Sequence, residues 1–292
     1  MAQFLDFVVA GVALGCIYSL IALGFTMIIR SSGVLNFAQG ETVMIGAMAG
    51  LSVHSAFPVP FPILVLCGMI GGGLIALAAE LIIYRRLRSR KVETNNIVIA
   101  TVGVSIILQN VAQLIWGAKP IAYPRIFGDE QIKFGPIELS PQLLGIIVMG
   151  FAVLLGLHFF LQFTRWGRAM RATAEDPLAA AAVGINLDRA AQLTWGLSGI
   201  LGGAAGVLFG SLFYASFNMG FLPGIKAFVA ATLGGLGSIP GAMAGGILFG
   251  LIEVFSGAII STGYKDAVGM GLLIGLLLIW PTGLAGIFGG KR

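Results

Sequence analysis

Histidine and cysteine are nearly missing, with two of each in 292 residues. His54 and His158 stand far apart, and metal ligands normally come in clusters, so no metal centre is expected. Cys16 and Cys67 sit in apolar runs and read as small hydrophobes, without the spacing of a disulfide framework or a metal site. Two such histidines give no credible Ser/His/Asp arrangement. A Gly-x-x-x-x-Gly-Lys phosphate loop is absent as well, so the chain is not itself an ATPase. No enzyme signature and no cofactor are expected. The first residues, Met1 to Asp6, contain no basic run, so a cleaved signal peptide is not expected.

Charge is the next scarcity. Only 10% of residues are Asp, Glu, Lys or Arg, against about 25% in soluble domains. Hydrophobic residues make up 58% and mean hydropathy is +0.98. A soluble core of this size could not hide so much apolar surface, so the bilayer is the solvent. The 44 glycines agree, because small residues let membrane helices approach closely. A net charge of +5 would raise nucleic acid as a partner in a soluble protein. Here the basic residues cluster at span ends, where orientation explains them and no nucleic-acid partner is needed.

Apolar stretches near the length needed to span, about 20 residues, fall at roughly 5–29, 41–57, 61–84, 95–116, 142–163, 189–215, 223–238, 241–260 and 266–280. The second and seventh are short and interrupted. The expected fold is therefore all-α: one polytopic helix bundle over 1–292, with eight or nine membrane segments including short or broken helices. Arg30, the run Arg85 to Lys91, the trio Arg165, Arg168 and Arg171, and the pair Lys291 and Arg292 all fall on one side when spans are counted alternately. The positive-inside rule makes that side the cytoplasm, with nine crossings, the N-terminus outside and the C-terminus inside. Demoting span seven would put Lys291 and Arg292 outside. The loop 117–141, rich in proline and balanced in charge, falls outside and reads as a solvated connector or a docking surface. Gly46 to Gly50 recurs as Gly241 to Gly245, a short match of the kind left by internal repeats.

A polar island interrupts the oil from Thr164 to Asn186. Asp176 suits a helix cap, Pro177 a first helical position and Gly184 a stop, so a short Ala-rich helix is expected between them. It reads either as a docking element or as an interfacial loop. Polar residues also occur where apolar segments would otherwise continue. Asn36 and Gln39, beside Phe37, are expected to line or gate a path, and Glu41 to sit at the interface. Thr101, Ser105 and Gln109 are spaced by four and share a helix face, suited to pathway lining or to helix–helix hydrogen bonds. Glu80 is expected to pair or snorkel near Tyr84 and Arg85, and Glu253 to make a structural or gating hydrogen bond. Gly234 to Gly241, with Pro240, should break a helix, and Ser238 could cap the next.

Four stretches carry a family resemblance. Ala172-Thr173-Ala174-Glu175-Asp176 followed by Ala181 to Ile185 resembles the coupling loop of ABC importer permeases, in the form found in LivH-type branched-chain amino acid permeases. Gly33 to Glu41 resembles that family's Asn-Phe-Ala-His-Gly segment, with Gln39 where histidine is common. Gly234 to Ala242 resembles its glycine turn. Trp280-Pro281-Thr282-Gly283-Leu284 resembles its ending, with Trp280 in place of arginine. The resemblance implies a non-catalytic permease subunit in the bacterial inner membrane. Its partners would be a second homologous permease, two ABC ATPase subunits and an external solute-binding protein. Arg171, Ala174, Glu175, Asp176, Gly184 and Ile185 would then contact the ATPase in a coupling loop spanning 164–187. Asn36, Phe37, Gln39, Thr101, Ser105 and Gln109 would line the pathway. A branched-chain or other hydrophobic amino acid suits such a pathway, as would urea or a short amide. A stand-alone secondary transporter or channel is the rival reading.

Overall fold

Residues 2–123, 132–134, 137–259 and 262–279 are described by the structure, a computed structural model. Twelve helices follow in order among them. They are α1 (Ala2–Ser32), α2 (Gln39–Ala56), α3 (Phe61–Ala79), α4 (Arg85–Ser89), α5 (Thr94–Trp116) and α6 (Pro141–Phe163). Then come α7 (Arg165–Glu175), α8 (Pro177–Ala182), α9 (Leu187–Leu212), α10 (Phe221–Gly234), α11 (Ile239–Ile259) and α12 (Lys265–Ile279). Among the described residues, strand is confined to two short antiparallel pairs, Ile121–Ala122 with Tyr214–Ala215 and Ile132–Phe134 with Ile137–Leu139.

Nine apolar helices occupy the nine expected stretches. Six are long and apolar enough to cross a membrane: α1, α3 with its continuation to Ser89, α5, α6, α9 and α11. The other three are α2, whose first turn is polar, the 14-residue α10 and the 15-residue α12. Thus the all-helical membrane class holds, while six crossings, not eight or nine, meet the criteria of length and composition among the described residues. Trp280 to Leu284, Lys291, Arg292, and Pro124, Arg125, Asp129, Glu130 and Pro136 of the loop 117–141 lie outside them.

Helices α1 and α9 form the centre. Helix α9 packs on α1, α2 and α3, and α1 packs on α11. Backbones meet at glycine, where no side chain holds them apart. A Cβ on Gly203 of α9 would run into the Gly68 carbonyl of α3. Large side chains left outside, such as Ile99, Leu114, Val148 and Phe159, face outward on α5 and α6, where a bilayer would solvate them.

Helix α3 does not stop at Ala79. A π-turn over Glu80–Tyr84 links it to α4. On a regular helix, eight residues bring a side chain about 80° past its start. The wider π-turn absorbs that excess, and Arg88 reaches back to grip the buried Glu80 with both guanidinium ends.

Candidate functional site

The polar island is two helices. Thr164 caps α7 by accepting from the Gly167 amide at 2.9 Å. Asp176 caps α8 by accepting from the amides of Leu178 and Ala179 at 2.9 and 3.0 Å, with Pro177 in the first turn. Gly184 ends α8 at a φ of 86°, a left-handed conformation that favours glycine, while the Ile185 amide reaches back to the Ala180 carbonyl at 3.0 Å. The cap and the stop thus stand where the residues placed them.

Met170 and Thr173 are buried, and Ala174 and Arg171 partly so, which anchors the inner face of α7. Glu175 and Asp176 are exposed, and two large apolar side chains on or beside α8 face outward: Leu178, 84% exposed, and Val183, 77% exposed. Arg30, Arg171, Ala174 and Ile239 border one crevice. The end of α1, the island and the glycine turn before α11 therefore meet at one end of the molecule. Arg85 joins them through Asp188 of α9, at 3.3 Å. Three of the four basic groups counted from the sequence share this end. Ser238 does cap α11, accepting from the Gly241 amide at 3.1 Å.

The second constellation lies where α2 begins. Asn36 accepts from the Ala38 amide at 3.1 Å and turns the chain into α2. Gln39 is fully buried and bonded at both ends to Ser198 of α9: its amide nitrogen donates to the Ser198 carbonyl at 3.2 Å, and its oxygen accepts from the Ser198 hydroxyl at 2.7 Å. Thr101 accepts from the Phe37 amide at 3.0 Å. Ser105 and Gln109 both donate to Oε1 of Glu41 at 2.8 Å. The face shared by Thr101, Ser105 and Gln109 is therefore turned on α2, and helix–helix hydrogen bonding is realised along it. Glu41 is not at an interface as expected; it is 1% exposed, because α5 lies over it. A cavity of about 280 Å³ adjoins this seam, with Phe37 and Ser105 in its wall.

A third cluster was only half visible in the sequence. Glu253 of α11 accepts from the Tyr18 hydroxyl at 2.7 Å and pairs with Lys226 of α10 at 2.6 Å. Lys226 also reaches Asp266 of α12 at 2.7 Å. Glu253 was expected to make a structural or gating bond. Lys226 was missed, although a lone lysine in an apolar helix is a signal that a partner lies within reach.

The two halves of the Gly46/Gly241 match share no common packing. Gly46 lies against Gly203, whereas Gly241 lies against Gly234. Tyr123 donates to the Ala47 carbonyl at 3.3 Å and ties the loop 117–141 to α2. No group of three or more His, Cys, Asp or Glu is placed to hold a metal among the described residues.

A bundle of apolar helices carrying a polar seam inside and a capped, outward-facing polar island at one end is that of a multi-pass membrane protein. The model of the branched-chain amino acid transport system permease component family matches residues 7–278, and the chain belongs to that family. It is similar to the high-affinity branched-chain amino acid transport system permease protein LivH of Salmonella typhimurium, 40% identical over 97% of this chain and 96% of the relative. It is also similar to BraD of Pseudomonas aeruginosa, described in the same words, at 38% identity over 97% and 96%. Among solved structures, PsaBC from Streptococcus pneumoniae in complex with Fab aligns over 99% of this chain and 96% of that one, at 15% identity and a TM-score of 0.50. At that identity the likeness concerns the fold alone.

Proposed function

We propose that the chain is the membrane-spanning subunit of an ABC importer that carries branched-chain or other hydrophobic amino acids across the bacterial inner membrane. ATP hydrolysis belongs to two partner ATPases. A second homologous permease completes the pathway, and a solute-binding protein delivers substrate from outside. The chain is one permease domain over 1–292 with eight or nine membrane segments, and nine crossings put the N-terminus outside and the C-terminus in the cytoplasm. The short helices α2, α10 and α12 complete the count beyond six.

One observation carries the coupling role. The island is built with a cap at each helix start and a glycine stop, yet it leaves Leu178 and Val183 open beside Glu175 and Asp176. Rigid, partly apolar and fastened below through Met170, it suits a cleft on a partner. Arg171, Ala174, Glu175, Asp176, Gly184 and Ile185 form this contact. Closure of the ATPases then acts on α7, which packs on α6, α9 and α1, so the island reports to the central helices. ATP-driven motion requires contacts that differ between two global states. The pathway uses the seam of Asn36, Phe37, Gln39, Thr101, Ser105 and Gln109. Because Asn36, Gln39 and Thr101 are engaged within the fold, they hold the wall in place, while Phe37 and Ser105 face the cavity.

Glu175→Arg is the direct test. The side chain is exposed, so insertion and folding should be unchanged while copurification of the ATPases falls at least tenfold. Unchanged copurification would remove the island from the ATPase contact. Uptake by this chain alone, driven by an ion gradient, would overturn the importer reading.

A further inference from the structure

Three carboxylates lie buried inside the described helices: Glu41, Glu80 and Glu253. Glu80 is held by Arg88 and Glu253 by Lys226. Glu41 has no basic partner among the described residues. Its Oε1 accepts from Ser105 and Gln109, both neutral, and its Oε2 is enclosed without a hydrogen-bond partner among the described protein groups. Buried charges are normally paired, and an ionisable group inside a membrane protein marks a working site.

The cavity beside it has a matching chemistry. Its wall combines Phe25, Phe37, Phe221 and Phe228 with Gly40 and Ser105. Because Ser105 donates to Oε1 of Glu41, its hydroxyl proton is committed there and the serine oxygen offers lone pairs elsewhere. Phenyl faces attract a cation while their bodies suit an aliphatic chain. Gly40 and Phe221 lie in the first turns of α2 and α10, so two helix N-termini border the same space. Such ends favour an anionic group. Small-molecule pockets begin at about 300 Å³, so a cavity of about 280 Å³ takes only a small ligand.

We propose that this cavity is a recognition site for a small apolar α-amino acid, whose ammonium group rests on Ser105 and balances Glu41. The carboxylate of the ligand lies toward the starts of α2 and α10, and its side chain among the four phenylalanines. The proposal rests on the transport reading above and adds to it a place on the permease where the amino group is sensed.

Ligand binding to the full chain in lipid nanodiscs, followed by saturation-transfer NMR, tests it with L-leucine and 4-methylpentanoate, which differ by the ammonium group. The wild type should bind leucine at least tenfold more tightly than the acid. Glu41→Gln should remove that preference, and Ser105→Ala should weaken it. The serine variant carries the test if the glutamine variant does not fold. Equal binding of the two ligands, no binding of leucine, or an unchanged preference in a folded variant would overturn the proposal. ATP-driven leucine uptake by the wild-type complex, measured separately, would show whether the importer reading stands even if this site does not.

Discussion

The buried charges of Lys226 and Glu253 are settled by what their neighbours supply. Lys226 and Glu253 are 7% and 5% exposed and share a contact of 2.6 Å, with Tyr18 and Asp266 completing the cluster. Removing one partner of such a pair strands the other, at a cost of about 3–5 kcal/mol. Lys226→Met should therefore lower the thermal midpoint in detergent sharply, and the double variant Lys226→Met with Glu253→Met should recover much of the loss. A double variant no better than the single one would show that the ion pair does not hold α10 to α11. Lys226 was not read from the sequence because its partners are 27 and 40 positions away along the chain, and no local period links them.

At the scale of single elements, two devices can be tested independently. The α8 cap is one. Asp176→Ala removes the acceptor for two amides, a loss of about 1 kcal/mol, and should fray α8 as read by faster amide exchange at Leu178 and Ala179. Exchange unchanged from the wild type would mean that packing alone holds α8. The second is close helix contact. Gly203→Ala sets a Cβ against the Gly68 carbonyl, backbone that cannot swing aside, whereas a Cβ at Gly103 meets nothing within 4 Å. Gly203→Ala should thus reduce the yield of monodisperse protein, and Gly103→Ala should leave it equal or higher, since alanine favours helix by about 1 kcal/mol over glycine. The cap, the stop and the polar face of α5 were legible because each is a pattern within one turn or one helix. The π-turn at Glu80 was not legible. The Leu81-Ile82-Ile83-Tyr84 run after Glu80 looks like any apolar helix, and the Arg88–Glu80 pair that spans it is a contact between residues eight apart.

For the whole molecule, the decisive quantity is sidedness. Arg30, Arg171 and Arg85 meet at one end through the island and Asp188, which agrees with the clustering expected from the positive-inside rule. If that end faces the cytoplasm, single cysteines replacing Glu175 and Arg86 in a background lacking Cys16 and Cys67 should be labelled by a membrane-impermeant thiol reagent only after the cells are opened. A cysteine replacing Lys119, at the other end of α5, should be labelled in intact cells. The reverse pattern would invert the orientation proposed for the chain.

Composition and periodicity by themselves determined the solvent, the class of fold, the positions of nine apolar helices and the capped island, because each of these follows from hydropathy, charge or the chemistry of one turn. Tertiary structure alone decided which polar groups are spent on holding the fold and which face a cavity. Gln39 and Thr101 read like Ser105 in sequence, yet the first is consumed by Ser198 and the second by the Phe37 backbone. Glu41 read like an interfacial acid, yet α5 buries it beside a phenylalanine-lined space. The reason is physical: a polar residue in an apolar helix must find a partner, and only the packing of distant helices determines whether that partner is protein or something passing through.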